Sequence, residues 1–419
     1  MAKSRSSSSL LAGTKLKSAF KALFSGMRGI AVFHPGSNPI SSNHMIWPAS
    51  PALLAPLGRW FEIHRREMPW RDADLDQIHP DPYAVLVSEL MLQQTQVATV
   101  IPYFERWMAK FPDAKSLSAA SEDAIHKSWE GLGYYRRARH LHASANHIAT
   151  HGWPMDFEGL MKLPGLGPYT AAAVASIAFQ WPEPALDGNA FRVLARILGI
   201  DDDPRLHAKA LRSWLRAALE QLGASRITQA LMELGATVCT PAPKCGGCPL
   251  AIPCEARRRE ATDRIPPAIQ RAKPKESAIW LLAVEAEGHW LLREPARNGL
   301  LAGLWRWPAI EAAAFIADNR AADSNLPYAS AEVIAWPGWT QVYTHRRETV
   351  SPLHLRLEKR FDEPRGCRWM AKGELEQLAL GKRDQRLRDL IKEAGSALLG
   401  APSAMSLLAN IRGGADPVP

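Results

Sequence analysis

The chain has 419 residues, 47% of them hydrophobic and 22% charged, which is enough for two or three globular domains with a sizeable core. Its longest apolar run, around residues 171–179, is far too short to span a membrane, so we expect no membrane partner. The net charge of +9 suits a polyanionic partner, although a basic surface without a special role would give the same value.

The first 50 residues have the composition of an extension. Residues 1–50 contain lysines and arginines but no Asp or Glu, and Ser6 to Ser9 form a serine run. This pattern is typical of a transit peptide or a disordered basic tail, and a wrongly assigned start, with Met45 nearer the true beginning, would also give it. We expect a basic, disordered extension here and a flexible tail at residues 396–419.

A helical pattern follows the extension. Asp81 and Pro82 favour the N-cap and first position of a helix whose apolar face carries Glu89. A carboxylate on an apolar face is most often paired with an arginine for structural reasons. The alternative is a group kept dry for chemistry, because desolvation raises the pKa of a carboxyl and lets it hold a proton near neutrality.

Two further stretches place polar or aromatic side chains at turns. Gln93, Gln94 and Thr95 interrupt the apolar pattern, with Thr95 as the predicted N-cap of the following helix. The two amides could lie in a solvated turn or hydrogen-bond to base edges. Residues 131–137 read Gly-Leu-Gly-Tyr-Tyr-Arg-Arg, and an aromatic wedge such as Tyr134 beside cations can unstack bases. Core tyrosines with outward hydroxyls are the alternative.

The most distinctive stretch is residues 163–171, Leu-Pro-Gly-Leu-Gly-Pro-Tyr-Thr-Ala. Gly165 and Gly167 favour a tight turn with positive φ, and Pro168 suits the first position of a helix. The free amides of Gly165, Gly167 and Tyr169 at the helix start would favour a phosphate. With an apolar helix predicted on either side, the stretch indicates a helix–hairpin–helix motif, against the alternative of an ordinary Gly-Pro connection.

Asp187 precedes a helix that is predicted to begin near Ala190. The N-terminal end of a helix favours negative charge, so we expect Asp187 to stay ionised while Glu89 is pushed towards its protonated form. Glycoside cleavage uses two acids of different pKa, one to protonate the leaving group and one to stabilise an oxocarbenium-like sugar. The simpler alternative is Asp187 as a plain helix cap.

Four of the five cysteines lie close together, as Cys239-x5-Cys245-x2-Cys248-x5-Cys254. Such clustering in a cysteine-poor chain indicates metal ligation in a reducing compartment, so we expect a cytoplasmic protein. Four thiolates can hold zinc or an iron–sulfur cluster. The short, proline-rich spacers favour a [4Fe–4S] cluster.

The pattern changes after the cysteines. Residues 255–276 are rich in Arg, Lys and Pro and are predicted to form a linker. The sequence therefore predicts an all-α domain over residues 51–254 and a small α+β domain over residues 277–395. The predicted elements of the second domain are a hairpin of strands 278–284 and 289–293, further strands at 353–357 and 367–370, and a closing helix over 384–393.

Together these stretches resemble the adenine DNA glycosylases of the MutY type, within the endonuclease III superfamily, over about residues 51–395. The matching segments are residues 88–96, 131–135, 163–170 and 186–189 and the four cysteines. The resemblance implies excision of adenine mispaired with 8-oxoguanine or guanine in double-stranded DNA, with the base flipped into a pocket. It also implies a [4Fe–4S] cluster and, if the protein is bacterial, association with the nucleoid, and we expect a monomer.

The resemblance also implies roles for individual residues. Glu89 matches the general acid that protonates adenine N7, and Asp187 matches the carboxylate that stabilises the sugar cation. Asn189 matches a polar partner near the first acid, and Tyr169 matches a residue of the catalytic pocket. Endonuclease III has a lysine nucleophile at the position of Tyr169, so the resemblance implies a monofunctional enzyme that removes the base without efficient strand cleavage.

Further matches concern the lesion. Gln94 and Tyr134 match residues that enter the DNA stack around 8-oxoguanine. The C-terminal part resembles the family's Nudix-like recognition domain, with residues 303–308 like its Gly-Leu-Trp-x-x-Pro element. Its Tyr343-Thr344-His345 segment looks like the Phe-Ser/Thr-His loop that reads 8-oxoguanine. We expect no nucleotide hydrolysis, since no Glu-rich Nudix box is present.

The chain departs from the family pattern in three places. The first cysteine spacer is one residue shorter than usual, an insertion lies near residues 74–79, and Tyr343 replaces the usual Phe.

Two other functions stay open. A bifunctional pyrimidine glycosylase would be supported by a lysine at position 169, and a lesion-binding protein without catalysis is opposed by the intact Glu89 and Asp187.

Overall fold

The computed structural model describes residues 47–72, 74–268, 274–296, 299, 301–311, 331–343 and 345–394. Residues 1–46 of the predicted extension and the predicted tail lie outside the described residues. So do Thr344 and residues 269–273 of the predicted linker.

The described chain begins with a helical region. Short carboxylates cap several of its helices: Asp81 Oδ1 accepts a hydrogen bond from the Ala84 N–H (3.1 Å), and Asp156 Oδ1 accepts one from the Gly159 N–H (2.7 Å). Its helices are α1 (Ser50–His64), α2 (Pro82–Leu92), α3 (Val97–Lys110), α4 (Ala114–Ser118), α5 (Glu122–Ser128), α6 (Arg136–His151), α7 (Phe157–Lys162), α8 (Pro168–Phe179), α9 (Gly188–Leu198), α10 (Ala208–Leu222), α11 (Ala224–Thr237) and α12 (Glu255–Arg258).

Apolar side chains of this region form two cores. The first core combines α2, α3, α6 and α8, and the second combines α1, α9, α10 and α11. Helices α2 and α8 are apolar on nearly all sides, which explains why both are buried along most of their length. Glu89 belongs to α2 and Asp187 caps α9, so the two acids come from different cores.

One predicted cap is wrong. The helix predicted to start after Thr95 begins at Val97 with Gln96 at the N-cap, and no side chain caps it. The Thr95 hydroxyl donates to the Gln93 carbonyl (3.4 Å) and accepts a hydrogen bond from Arg137 Nη2 (3.2 Å). The Thr95 hydroxyl, which the N-cap preference assigns to the helix start, is thus occupied by the buried Arg137 of another helix.

The predicted linker is packed over its first part. Ala256 of α12, Ala261 and Ile265 are buried in the second core of the helical region. The Arg196 guanidinium donates to the Ile265 carbonyl (2.9 Å), which fixes the segment further. Three apolar residues therefore hold a stretch that its basic and proline-rich composition assigns to a linker, and the connection between the regions is shorter than predicted.

A mixed sheet forms the second region, as the predicted α+β pattern requires. Its long strands β1 and β6 are parallel, with Lys275 opposite Arg346 and Ala286 opposite Leu357. The predicted hairpin is confirmed: β1 and β2 pair around Glu287 and Gly288, which both have positive φ, as in a two-residue hairpin turn. The strands are β1 (Lys275–Ala286), β2 (His289–Arg293), β3 (Ala309–Glu311), β4 (Glu332–Ala335), β5 (Trp339–Val342), β6 (Arg346–Leu357) and β7 (Cys367–Ala371), in the order β4-β6-β1-β2-β7, with β3 paired to β1 and β5 to β6.

Both faces of this sheet are covered by apolar residues. Alternate residues of β1 point into separate cores, with Leu281 in one and Leu282 in the other. Helix α13 (Lys382–Ala394) contributes Leu387 to the core that contains Leu281. Among the described helices of the whole chain, none is both long and apolar enough to cross a membrane.

The two regions contact each other beside the tyrosine motif. Leu304 and Ala379 of the sheet region join the first core of the helical region. The Tyr135 hydroxyl donates to the Leu380 carbonyl (3.2 Å), and the Leu380 N–H donates to Glu130 Oε1 (3.2 Å). The sheet region therefore supports the helical region next to Tyr134.

Candidate active site

Glu89 occupies the buried position that the sequence predicts. It lies near the end of α2, and only 7% of the residue is exposed. Burial, and then the negative charge of Asp187, raise the pKa of Glu89 to about 7. The carboxyl therefore holds its proton over the lower part of the physiological pH range, as a general acid requires.

Tyr169 contacts this acid directly. Helix α8 begins at Pro168, so Tyr169 lies in its first turn, beside the hairpin. Its hydroxyl donates a hydrogen bond to the Glu89 carboxylate, and this bond opposes the rise in the pKa of Glu89. Burial and the nearby charges of Glu89 and Asp187 raise the pKa of Tyr169, so the hydroxyl remains protonated and acts as a donor.

Asp187 is the N-cap of α9. Its Oδ1 accepts a hydrogen bond from the Ala190 N–H (2.6 Å), and the Asn189 backbone and side chain also donate to this carboxylate. Burial nevertheless raises the pKa of Asp187 above its usual value. Desolvation therefore outweighs the favourable helix terminus in its effect on the pKa, and the ionised state expected for Asp187 at neutral pH stays a prediction.

The structure adds charged residues that sequence analysis did not assign to the site. Arg71 acts on Glu89 through its positive charge, and its Nη2 donates to Glu233 Oε2 (2.8 Å). Glu233 also accepts a hydrogen bond from Arg66 Nη2 (3.2 Å). Burial alone would raise the pKa of Glu233, but these arginines lower it. Glu233 is an acid in an apolar helix, as Glu89 is. The same sequence pattern could therefore have identified Glu233 as a candidate site residue.

Helix α9 connects the acids to the cysteines. Arg192 Nη2 donates to Asn189 Oδ1 (2.8 Å), and its Nε donates to the Cys239 carbonyl (2.9 Å). One turn further, Arg196 Nη1 approaches Cys239 Sγ (3.5 Å). A Cβ on Gly235 would lie 2.8 Å from the Asn189 Cβ, so the glycine permits the close packing that places Asn189 beside Asp187.

The predicted cysteine cluster is assembled in one pocket. Cys239, Cys245, Cys248 and Cys254 line it together with Arg196 and Arg257. Burial, and then the charge of neighbouring cysteines, raise the pKa of Cys248 to about 11, so this bare thiol resists ionisation. Among the described residues, no three His, Cys, Asp or Glu side chains are close enough to hold a single metal ion.

The helix–hairpin–helix prediction is confirmed for α7 and α8, with one correction. Gly165 has φ +83°, and a Cβ there would lie 2.4 Å from the His140 Cβ, so this position requires glycine. Gly167 instead has φ −76° at the N-cap of α8, with open space where a Cβ would be. Positive φ is therefore not its reason for being glycine, whereas its small size leaves room for a close approach.

The residues predicted to enter DNA lie on two turns. Gln94 and Tyr134 are exposed and both have positive φ, +57° and +50°. Gln93 is held back, since its Nε2 donates to Thr170 Oγ1 of α8 (3.0 Å). Thr95 is also engaged internally, by Arg137.

The predicted lesion-reading loop is described only in part. Tyr343 N–H donates to the Arg346 carbonyl (2.7 Å), which closes the turn around His345. His345 is exposed, and Thr344 lies outside the described residues. The Tyr343 hydroxyl is buried, facing Arg383 and Glu348, and burial raises its pKa. Among the described residues this hydroxyl has no hydrogen-bond partner, so it gives the tyrosine no polar anchor that a phenylalanine would lack.

Comparison with known proteins defines the class. A family model described as HhH-GPD superfamily base excision DNA repair protein matches residues 87–217, the stretch that contains Glu89, the hairpin and Asp187. The helical region is thus a glycosylase domain of the helix–hairpin–helix class.

Three relatives define the family. The chain is 37% identical to the adenine DNA glycosylase of Arabidopsis thaliana (60% of this chain, 46% of the relative) and 34% identical to that of Homo sapiens (65% and 60%). It is 32% identical to that of Buchnera aphidicola subsp. Acyrthosiphon pisum, strain APS, over 59% of this chain and 71% of the relative. The chain belongs to the adenine DNA glycosylase family. It spans about half to two thirds of the length of the plant and mammalian relatives.

Proposed function

We propose that this protein is a DNA glycosylase that hydrolyses the N-glycosidic bond of adenine mispaired with 8-oxoguanine or guanine. The observation that carries the proposal is the pair of acids from two cores. Asp187 helps to raise the pKa of Glu89 to about 7, so the two carboxyls lie within electrostatic range at one site. Glycoside cleavage needs one carboxyl that holds a proton beside a second carboxyl that is ionised, the roles proposed for Glu89 and Asp187.

Each side chain has a defined task in this reaction. Protonated Glu89 donates to adenine N7, which makes the base a better leaving group. Ionised Asp187 stabilises the positive charge that develops on the sugar as the bond breaks. The hydrogen bond from Tyr169 orients the Glu89 carboxyl, and Asn189 orients Asp187. The adenine reaches these groups by leaving the base stack, at the cost of its stacking and pairing.

Tyr169 determines the expected product. A phenol whose pKa is raised stays protonated and cannot form the Schiff base through which an amine cleaves the strand. We therefore infer a monofunctional enzyme that leaves an intact backbone with an abasic site.

A [4Fe–4S] cluster is part of the proposal. Cys239, Cys245, Cys248 and Cys254 would hold it, and it would keep the loop over residues 239–254 folded. The guanidinium of Arg196 beside Cys239 offers a positive charge to thiolate ligands. We expect purified protein to be brown, to contain iron and to absorb broadly in the visible range. A colourless protein with bound zinc would refute this assignment.

The sheet region would read the lesion. Its loop around His345 is exposed, and the region contacts the helical region beside Tyr134, so both could face the same DNA. We propose that this region is Nudix-like in role and that His345, Thr344 and Tyr343 contact 8-oxoguanine.

The decisive experiment uses duplexes with a labelled adenine strand. We expect strand breaks only after hot alkali, with adenine opposite 8-oxoguanine or opposite guanine. Breaks without alkali would contradict the monofunctional assignment, and no product from either duplex would overturn the proposed activity. A duplex with adenine opposite thymine is the control.

A further inference from the structure

Arg137 connects the two turns that carry the exposed Gln94 and Tyr134. We call residues 93–95 the glutamine turn and residues 131–134 the tyrosine turn. Arg137 lies on α6, and only 5% of it is exposed. Its Nη1 donates to the carbonyls of Leu90, Met91 and Gln93 (2.7–2.8 Å), at the end of α2 and the start of the glutamine turn.

The same guanidinium holds the tyrosine turn from the other side. Arg137 Nη2 donates to the Gly133 carbonyl (3.0 Å) and approaches the Leu132 carbonyl (3.4 Å). It also donates to Thr95 Oγ1 in the glutamine turn (3.2 Å). The guanidinium carbon lies 5.3 Å from the centre of the Tyr134 ring, within cation–π distance.

This burial of a cation needs an explanation. The six acceptors of the Arg137 guanidinium are carbonyl and hydroxyl oxygens, and none of them carries a charge. Burying a charge without an opposite charge costs free energy, and burial lowers the pKa of Arg137 to about 10. A planar group with five fixed donors is, however, the one side chain that can bridge two loops at a set distance.

The backbone of both turns shows what is being held. Gln94 has φ +57° and Tyr134 has φ +50°, a conformation that side chains other than glycine adopt at a cost. Such residues persist where the surrounding structure fixes them, and they cluster at functional sites. Each of the two lies in a turn that hydrogen-bonds to Arg137, and their side chains are exposed.

We propose that Arg137 is a positioning residue that locks the glutamine turn and the tyrosine turn at a fixed separation, so that Gln94 and Tyr134 enter the same DNA step together. This inference rests on the proposed function, because it assumes that both turns meet DNA. Arg137 also holds the end of α2, three residues beyond Glu89, and so ties DNA entry to the position of the acid.

The test measures base unstacking separately from excision. A duplex carries 2-aminopurine next to 8-oxoguanine, and the protein carries Glu89→Gln so that no adenine is removed. Unstacking of the step raises the fluorescence. We expect Arg137→Lys to reduce this rise strongly, while affinity for undamaged duplex changes by less than about threefold, since a buried side chain makes no phosphate contact. In the Glu89 protein, Arg137→Lys should slow single-turnover excision by about 10- to 100-fold, as expected for a small displacement of the site.

Leu141→Ala is the matched control. Leu141 is fully buried on the same helix and does not hydrogen-bond to either turn, so its truncation destabilises α6 without changing the bridge. Arg137→Met is a second variant, and Arg137→Lys serves if that protein does not fold. A fluorescence rise and an excision rate like those of Leu141→Ala would overturn the inference, as would a lack of any rise with Arg137 present. The two proposals can fail separately. If Arg137→Lys reduces the fluorescence rise but the protein with Glu89 intact excises no adenine, the inference is supported and the proposed function is refuted.

Discussion

A comparison of the helical region with the sheet region separates buried acids that pair with arginine from buried acids that do not. In the sheet region, Glu348 is 2% exposed and pairs with Arg346 (3.0 Å) and Arg383 (3.4 Å). In the helical region, Glu89 receives its hydrogen bond from the neutral hydroxyl of Tyr169. Within the part of the chain that the structure describes, neither Glu89 nor Asp187 forms an ion pair. Glu348, like Glu233 of the helical region, is neutralised by arginines, whereas Glu89 and Asp187 keep a raised pKa, which is costly for stability and useful for proton transfer.

The largest effect should come from removing the proton that Glu89 carries. Glu89→Gln preserves shape but cannot protonate a leaving group, so excision of adenine should fall by about 10²- to 10⁴-fold or more, the usual contribution of a general acid. Binding of the mispaired duplex should persist. The measurement is single-turnover excision with adenine opposite 8-oxoguanine, together with a binding titration.

Glu158→Gln is the control for this substitution, because Glu158 is exposed at the start of α7 and belongs to neither core. Its rate should equal that of the unchanged protein. If Glu89→Gln retained turnover near this rate, the role assigned to Glu89 would be wrong.

The matching substitution in the sheet region should act on stability instead. Glu348→Gln removes one charge partner from Arg346, which keeps Glu311, and one from Arg383, which keeps Asp384. Breaking a buried pair costs up to about 3–5 kcal/mol, and the remaining partners place the expected loss at the lower end of this range. Calorimetric or denaturant unfolding would measure this loss. Glu332→Gln removes the partner of Arg356 in an exposed pair and should cost less than about 1 kcal/mol. Equal losses for the two variants would contradict the contrast between the regions.

A smaller effect links the pKa of Glu89 to pH. Because Glu89 must carry a proton to act, kcat/KM should fall about tenfold per pH unit above about pH 7, the pKa of Glu89. On the acid side the rate should fall as Asp187 takes up a proton. A pH–rate profile measures both limbs, and a rate that stays constant from pH 7 to pH 9 would exclude Glu89 as the acid.

The same raised pKa lowers stability at neutral pH. The folded protein holds the Glu89 proton more tightly than the unfolded chain does, so the stabilising contribution is complete below about pH 4.5 and is lost as the pH rises through 7. Glu89→Gln has no such loss. From pH 5 to pH 8, the free energy of unfolding of Glu89→Gln should therefore increase by roughly 1–3 kcal/mol relative to that of the unchanged protein. If the Tm of Glu89→Gln differed from that of the unchanged protein by the same amount at pH 5 and at pH 8, the raised pKa of Glu89 would be contradicted.

The features of the fold and the site that depend on local chemistry could be predicted from the sequence. The acid on the apolar face of α2, the Gly-Pro hairpin, the clustered cysteines and the hairpin at Glu287 and Gly288 all follow from residue type and spacing. The bridging roles of Arg137 and Arg192 could not be predicted, because their acceptors include the distant carbonyls of Leu90, Gly235 and Cys239. The rise in the pKa of Asp187 could not be predicted for the same reason: the helix end is visible in the local sequence, whereas the desolvation comes from burial in the folded protein.

The smallest predicted effect concerns the contact between the two regions. Glu130 is the central residue there: its carboxylate accepts hydrogen bonds from Lys127 Nζ (2.7 Å) and the Leu380 N–H, and it lies 3.5 Å from Arg388 Nη1. Glu130→Gln keeps an acceptor for Leu380 but loses the charge that both cations need. We expect the free energy of unfolding to fall by about 1–2 kcal/mol, the worth of a partly buried, charge-assisted contact.

The position of Glu130 next to the tyrosine turn adds a second readout. If the sheet region supports this turn through Leu380, Glu130→Gln should lower the excision rate several-fold with 8-oxoguanine opposite adenine and change the rate opposite guanine less. Glu376→Gln is the control, since it breaks an exposed pair with Lys392 inside the sheet region and should change neither rate. Equal slowing on both duplexes would mean that the contact stabilises the protein without tuning its recognition of the lesion. The two regions would then act independently once bound to DNA.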